Sequence, residues 1–289
     1  MVKSKASRFA DIVIAGTCLI IILVCLLPIV NVLARSLSSA DSLIKGKVML
    51  IPAGLNLEAY KTVLSDPKYT WSLVWTAILT VMCTCLSVFM TVICAYPLIY
   101  TELKGRKVFT ALMISTMYFS AGTIPNYLLV KDIGLLNSPL VLMIPSCLSV
   151  FNVIILRSFL LGIPVSLRES SEIEGADPID VLLRVYLPLS TPVMATLALF
   201  YAVGRWNGYS DALMYLKNRM FFPIQLLLFN ILNNVTSVEV ATQEGFSNPG
   251  LSETLKSATV MFAIVPILIV YPWLQRYFIA GATLGAVKE

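Results

Sequence analysis

Histidine is absent from the 289 residues, and charged side chains make up only 13% of them. The first absence removes the commonest general base and the commonest metal ligand. The second excludes an ordinary soluble domain, which carries about a quarter charged residues. Cysteine is sparse too: Cys18, Cys25, Cys83, Cys85, Cys94 and Cys147 all fall in apolar stretches. They read as small packing residues, not as a disulfide framework or metal centre. Cys83 and Cys85, two apart on a helix, face different sides and cannot share an ion. No glycine-rich phosphate loop ending in Lys-Ser or Lys-Thr occurs, so any ATP chemistry would belong to another chain. No catalytic residue, metal or cofactor of the chain's own is expected.

What is present is apolar. Hydrophobic residues make up 58% of the chain, and the mean hydropathy is +0.85. Six segments reach the roughly 20 mostly apolar residues that a spanning helix needs. They are about 11–33, 71–100, 108–130, 139–160, 189–209 and 255–279. The expectation is an all-α integral membrane protein with six transmembrane helices. The first segment is too long for a cleavable leader, and Pro28-Ile-Val-Asn-Val-Leu-Ala34 is poor cleavage context, so it is expected to stay as a span. Lys3, Lys5 and Arg8, and then Lys104, Arg106 and Lys107, belong inside by the positive-inside rule. That places both termini and the loop around Glu169 in the cytoplasm. A net charge of only +5 fits a lipid bilayer, not a nucleic acid.

The spans divide unevenly. Residues 1–70 give one helix and an outer segment with turn signals at Pro52-Ala-Gly54 and Asp66-Pro67; residues 71–274 give a five-helix unit, and 275–289 a small-residue tail. A second outer segment follows span five, at about 210–254. Prolines recur within the spans. Most fit the general tolerance of membrane helices for proline, while Pro125 and Pro145, beside Asn126 and Asn152, could kink helices that line a path.

Between two apolar spans lies a polar island, Arg168-Glu-Ser-Ser-Glu-Ile-Glu-Gly-Ala-Asp-Pro178, continuing to Val185-Tyr-Leu-Pro188. Ser166-Leu-Arg-Glu169 has the form of a capping box. Gly175 suits the left-handed position after a helix, and Asp177-Pro178 suits an N-cap followed by a first helical residue. Ile179, Leu182, Leu183 and Tyr186 recur at helical spacing as one apolar face. The plain alternative is an amphipathic connector at the lipid surface. Against it stand five acids (Glu169, Glu172, Glu174, Asp177, Asp180), since such surface helices are usually basic.

Glu169-Ser170-Ser171, three residues, Gly175, nine residues and Val185-Tyr-Leu187-Pro188 resembles the EAA loop of binding-protein-dependent ABC importer permeases. Serines stand for the two alanines, and valine for isoleucine. Trp206-Asn-Gly-Tyr-Ser-Asp-Ala-Leu-Met-Tyr-Leu216, Pro223-Ile-Gln-Leu-Leu-Leu228 and Tyr271-Pro-Trp-Leu-Gln-Arg-Tyr-Phe-Ile-Ala-Gly281 are similar to carbohydrate permeases of the MalG type. Phe200-Tyr-Ala-Val-Gly-Arg-Trp-Asn207 is closest to the LplC/YtcP-like group, associated with complex oligosaccharides.

The resemblance implies a type I importer (MetI-like) fold with a cytoplasmic coupling loop over 163–188, in a bacterial cell membrane. It implies four kinds of partner: a second homologous permease, a dimeric cytoplasmic ATPase that binds ATP-Mg, an extracytoplasmic solute-binding protein and an oligosaccharide. Glu169, Ser170, Ser171, Gly175, Ala176, Asp177, Leu187 and Pro188 would dock the ATPase. Glu244, Gly245, Phe246 and Asn248 would sit in a loop that enters the binding protein, and the C-terminal tail would insert between ATPase subunits.

Polar groups within spans usually face a bundle interior or a water-filled cavity. Asn126, Tyr127, Asn152, Arg205, Trp206 and Asn207 are therefore the candidate substrate-pathway residues, with Tyr118 and Tyr201 beside them. Helix–helix hydrogen bonding would equally explain the asparagines, and interfacial anchoring Trp206 and Tyr118. An ABC permease for a non-sugar solute shares the knob but not the Trp206-Asn207 pattern. An ion-coupled transporter would need carboxylates at span centres, which are nearly absent.

Overall fold

The computed structural model describes residues 5–234 and 249–286, with side chains described for 11–233, 253–270 and Pro272. Every regular element among the described residues is helical, and the sole extended pairing among them is an isolated bridge between Ser38 and Leu55. Two compact units emerge from the packing. One comprises Met1–Thr70 with Leu228–Ile267, and the other Trp71–Leu227 with Leu268–Glu289.

In the first unit, α1 (Lys5–Ser36) carries Pro28 without a break. Its membrane-length part, Asp11–Ser36, is apolar on every side. Such a helix satisfies its own backbone and asks only for an apolar surround. Two short helices follow, α2 (Ala40–Ile44) and α3 (Glu58–Ser65). The expected turn at Pro52-Ala-Gly54 is present, with Gly54 at φ +66°. Arg35 closes the end of α1 by a 2.7 Å ion pair to Glu253.

The Asp66-Pro67 signal marks the start of α4 (Pro67–Ala95), most of which lies in the second unit: the Asp66 carboxylate accepts the Lys68 N–H at 2.8 Å. The N-terminal turns of α4 hold the stretch 220–224. Trp71 and Trp75 donate indole N–H groups to the carbonyls of Met220 and Phe221, and Thr76 Oγ1 accepts the Ile224 N–H. A 3-10 turn, Pro97–Ile99, ends this second long span.

Three of the described helices, Asp11–Ser36, Pro67–Ile99 and Glu253–Val270, are long and apolar enough to cross a membrane, and the other three expected spans are interrupted or bent. Helices α5 (Arg106–Tyr118) and α6 (Thr123–Asp132) meet at 116° across Phe119–Gly122. The expected span 139–160 is not one helix. A 3-10 turn at Pro139–Leu142 gives way to irregular chain, and α7 (Val150–Leu160) starts only after Ser149 caps it through the Asn152 N–H. Pro145 lacks the N–H that a continuing helix would use, and Ser146 and Ser149 offer side-chain partners instead. Further on come α8 (Val165–Ile173), α9 (Pro178–Val181), a π-helical turn (Leu182–Tyr186) and α10 (Leu187–Leu189). The span α11 (Thr191–Asn207) is followed by α12 (Ser210–Tyr215), a 3-10 turn at Arg219–Phe221 and α13 (Ile224–Asn234).

The last helix, α14 (Pro249–Ala286), runs beyond the expected span end at about 279. Residues 275–286 of the expected tail continue this helix. Leu284 and the alanines are good helix formers, and two glycines four apart do not outweigh them.

Candidate functional site

The polar island folds into a knob with defined caps. Helix α8 stops at Gly175, whose φ is +87°. The Gly175 N–H reaches the carbonyl of Glu172 at 3.1 Å, and the Ala176 N–H that of Ser171 at 3.0 Å. This is the paired closure of a Schellman motif, which needs a left-handed residue at that point. Two residues later the Asp177 carboxylate accepts the Asp180 N–H at 2.7 Å, with Pro178 in the first helical position. Stop, elbow and restart thus follow the sequence reading.

The capping box does not form. Helix α8 begins two residues early, with Pro164 as its N-cap and no side-chain cap. Ile163 is buried, Pro164 carries the chain out of the core, and its carbonyl already accepts the Leu167 N–H. Ser166 is therefore inside the helix, and Glu169 lies exposed on its surface. The apolar face also differs from expectation. Val181 and Tyr186 are buried, whereas Ile179 and Leu183 are 65% and 55% exposed. The π-helical turn explains the shift. Pro188 cannot donate to the carbonyl of Arg184, and the preceding turn widens, which rotates the following side chains.

The buried side of the knob is tied to α4 and α7. Tyr96 is the hub: its hydroxyl lies 2.7 Å from the carbonyl of Pro178 and 2.5 Å from the Tyr100 hydroxyl. Its ring meets Tyr186 edge to face. The Arg168 guanidinium lies over the Tyr100 ring at 4.8 Å and pairs with Glu172 at 3.5 Å. A core of Val92, Val153, Leu156, Leu160, Val181 and Leu197 packs around these rings. In the neighbouring loop, the Glu102 carboxyl is held below its usual range, first by its own backbone N–H and then by the Thr101 hydroxyl.

A cavity of about 740 Å³ opens elsewhere in the same unit. Ser87 of α4, Ser146 and Ser149 of the irregular segment, Asn152 of α7 and Ser210 of α12 supply polar groups, with Phe151, Phe200 and Tyr201 as rings. The Tyr201 hydroxyl lies 2.7 Å from Thr91 Oγ1 and accepts the Ser149 N–H at 3.1 Å. Arg205, 8% exposed, forks onto Asp211, Nη1 at 2.5 Å and Nη2 at 3.0 Å. It also donates to the carbonyls of Leu142 at 3.1 Å and Gly208 at 3.3 Å.

A family model, "Binding-protein-dependent transport system inner membrane component", matches residues 72–283. The chain belongs to this family. Two curated relatives from Bacillus subtilis (strain 168) span nearly its whole length. The polygalacturonan/rhamnogalacturonan transport system permease protein YtcP is 38% identical over 98% of this chain and 99% of its own. Protein LplC is 37% identical over 100% and 98%. The fold matches a bacterial ABC transporter chain involved in import of the acidic polysaccharide alginate, with TM-score 0.89 and 33% identity over 96% of this chain and 99% of that one.

For this inner membrane component, the structure sorts the candidates. Glu169, Ser170, Gly175, Asp177 and Pro188 are exposed on the knob, with Ser171, Ala176 and Leu187 half-buried. Of the pathway set, Asn152 and Arg205 line the cavity. Trp206 is buried without lining it, and Asn126 and Asn207 are exposed, the latter bonded to the carbonyl of Val203. Tyr127 stacks on Tyr215 with centroids 6.1 Å apart, and Tyr118 is exposed. Glu244, Gly245, Phe246 and Asn248 lie outside the described residues. Asp211 and the serines escaped the sequence reading. Asp211 lies six residues beyond Arg205, a spacing that pairs only because the chain breaks at Gly208.

Proposed function

We propose that this chain is the permease subunit of an ATP-driven oligosaccharide importer, forming half of the pathway and coupling to its ATPase through the knob at 163–188. The observation that carries the reading is the knob's two-sided construction. One side is fixed to the spanning helices by Tyr96, Tyr186 and Val181. The other leaves Ile173, Ile179 and Leu183 exposed at 88%, 65% and 55%, beside the Glu169 carboxylate. Apolar side chains held out on a capped, stiff element suit a groove on a soluble partner.

Family membership supports the importer reading, and the names of YtcP and of the alginate transporter support a carbohydrate cargo. The complete machine would add a second permease, a dimeric ATPase that holds ATP-Mg, and an extracytoplasmic solute-binding protein. The 244–248 loop would face that binding protein, and both termini would lie in the cytoplasm. The cavity, lined by hydroxyls and rings, would form part of the sugar's path.

Co-expression with the candidate ATPase, second permease and binding protein tests this. Affinity purification of the chain should recover the ATPase, and proteoliposomes should hydrolyse ATP faster when loaded binding protein is added. Recovery without the ATPase, or hydrolysis indifferent to sugar, would overturn the reading.

A further inference from the structure

We infer that the cavity is a subsite for an uncharged glycosyl unit and has no seat for a carboxylate. This deepens the oligosaccharide reading and rests on it. The volume, about 740 Å³, lies within the roughly 300–1,000 Å³ of small-molecule sites. The decisive feature is how its charge is used. Arg205 and Asp211 are the charged side chains among the described lining residues, and they neutralise one another.

The pairing leaves the guanidinium nothing to offer an anion. Both terminal nitrogens bond to the Asp211 oxygens and to the carbonyls of Leu142 and Gly208. The Nε–H has no partner and is itself sealed from solvent. A uronate entering the cavity would lose its water and meet no free cation, while Asp211 would repel it. Removing an ion from water without a partner is costly.

A neutral sugar meets the opposite situation. The Ser146 hydroxyl, which donates to the carbonyl of Leu142 at 3.0 Å, keeps lone pairs to accept from a sugar hydroxyl. Asn152 and Ser87 line the same space, and Phe151 and Phe200 present ring surface for the apolar face of a pyranose. This differs from the acidic polymers named for YtcP and the alginate transporter. Here any selection for acidic sugar would have to be made by another subunit.

The test uses the assembled importer, purified with both permeases and the ATPase. Equilibrium binding of radiolabelled galactotetraose is compared with that of tetragalacturonate. The neutral sugar should bind about tenfold more tightly or better, the worth of one charge-assisted hydrogen bond that the uronate cannot make. Asp211→Asn, which releases the guanidinium, should narrow that gap, and Asn152→Ala should weaken the neutral sugar. Tighter binding of tetragalacturonate by the wild type would overturn the inference alone, whether or not the variants fold. No binding of either sugar would overturn it together with the oligosaccharide reading.

Discussion

Tyr96 and Tyr186 meet edge to face with ring centroids 5.5 Å apart, and the Tyr96 hydroxyl also reaches the Pro178 carbonyl at 2.7 Å. A residue at the end of a spanning helix thus grips the knob at two points. If the knob couples to an ATPase as proposed, part of the force on it would pass through this contact. Tyr186→Ala should destabilise the chain by about 3–5 kcal/mol, as for other buried aromatic truncations. Tyr96→Phe keeps the ring but removes the hydroxyl's two hydrogen bonds, to Pro178 and Tyr100, and should cost about 1–3 kcal/mol. Thermal unfolding in detergent gives both values, and sugar-stimulated ATP hydrolysis should fall more in the alanine variant. Equal stimulation in all three proteins would remove the tyrosines from the coupling path.

Gly175 is constrained by its backbone and not by space. Its φ is +87°, yet a Cβ there would meet nothing within 4 Å. Alanine should therefore cost about 1–2 kcal/mol of local strain, asparagine less because it tolerates the left-handed region, and valine the most. Recovery of the ATPase with each variant should follow the order Gly, Asn, Ala, Val. Indifference to the substituent would mean that the elbow can be reshaped without consequence.

Glu169 closes no cap, so its substitution should leave the fold intact. Glu169→Lys is expected to shift thermal unfolding little, within the roughly 0.5 kcal/mol typical of surface changes, while reversing a charge on the side proposed to meet the ATPase. Weaker ATPase recovery that improves with salt would fit an electrostatic contact with the partner. A large loss of stability would mean that the carboxylate has a structural role after all.

Gly208 presents the converse of Gly175. Its φ is an ordinary −73°, but a Cβ would lie 2.7 Å from Arg205 Nη2. The guanidinium is pinned by Asp211 and two carbonyls and cannot simply swing aside. Gly208→Ala should cost about 1–3 kcal/mol, the usual penalty of overpacking, and lower transport along with it. A fully stable alanine variant would show that the fork is looser than its geometry suggests.

Local chemistry was legible in the sequence wherever one residue decides the outcome. Gly175, Asp177 with Pro178, and Asp66 with Pro67 each behave as their residue types dictate. The reading failed where the outcome depends on chain far away or on a choice between adjacent starts. Ser166 could have capped a helix, but Pro164, leaving the buried Ile163, began the coil first. Hydropathy located segment 139–160 yet could not tell helix from irregular chain, since both are equally apolar. The knob's inward face was misassigned because a 3.6-residue period does not anticipate a π-helical turn. Asp211 was missed because an arginine and an aspartate six apart do not pair on a continuous helix; Gly208 interrupts it.

The irregular stretch before α7 bears on how the chain is made. Helix α7 has eleven residues, about 16 Å of rise, against the roughly 30 Å of hydrocarbon to be crossed. Lipid cannot satisfy the exposed peptide groups of residues 143–149. Partners for this stretch and the turn before it come in part from residues synthesised 52 and 63 positions later: the Tyr201 hydroxyl takes the Ser149 N–H, and Arg205 donates to the Leu142 carbonyl. The fourth segment is therefore unable to leave the insertion machinery by itself and should partition as a pair with the fifth. Nascent chains stopped before Tyr201 should stay cross-linked to that machinery at Cys147, and chains extended past Asp211 should be released. Release of the shorter chain would show that lipid accepts the stretch unaided.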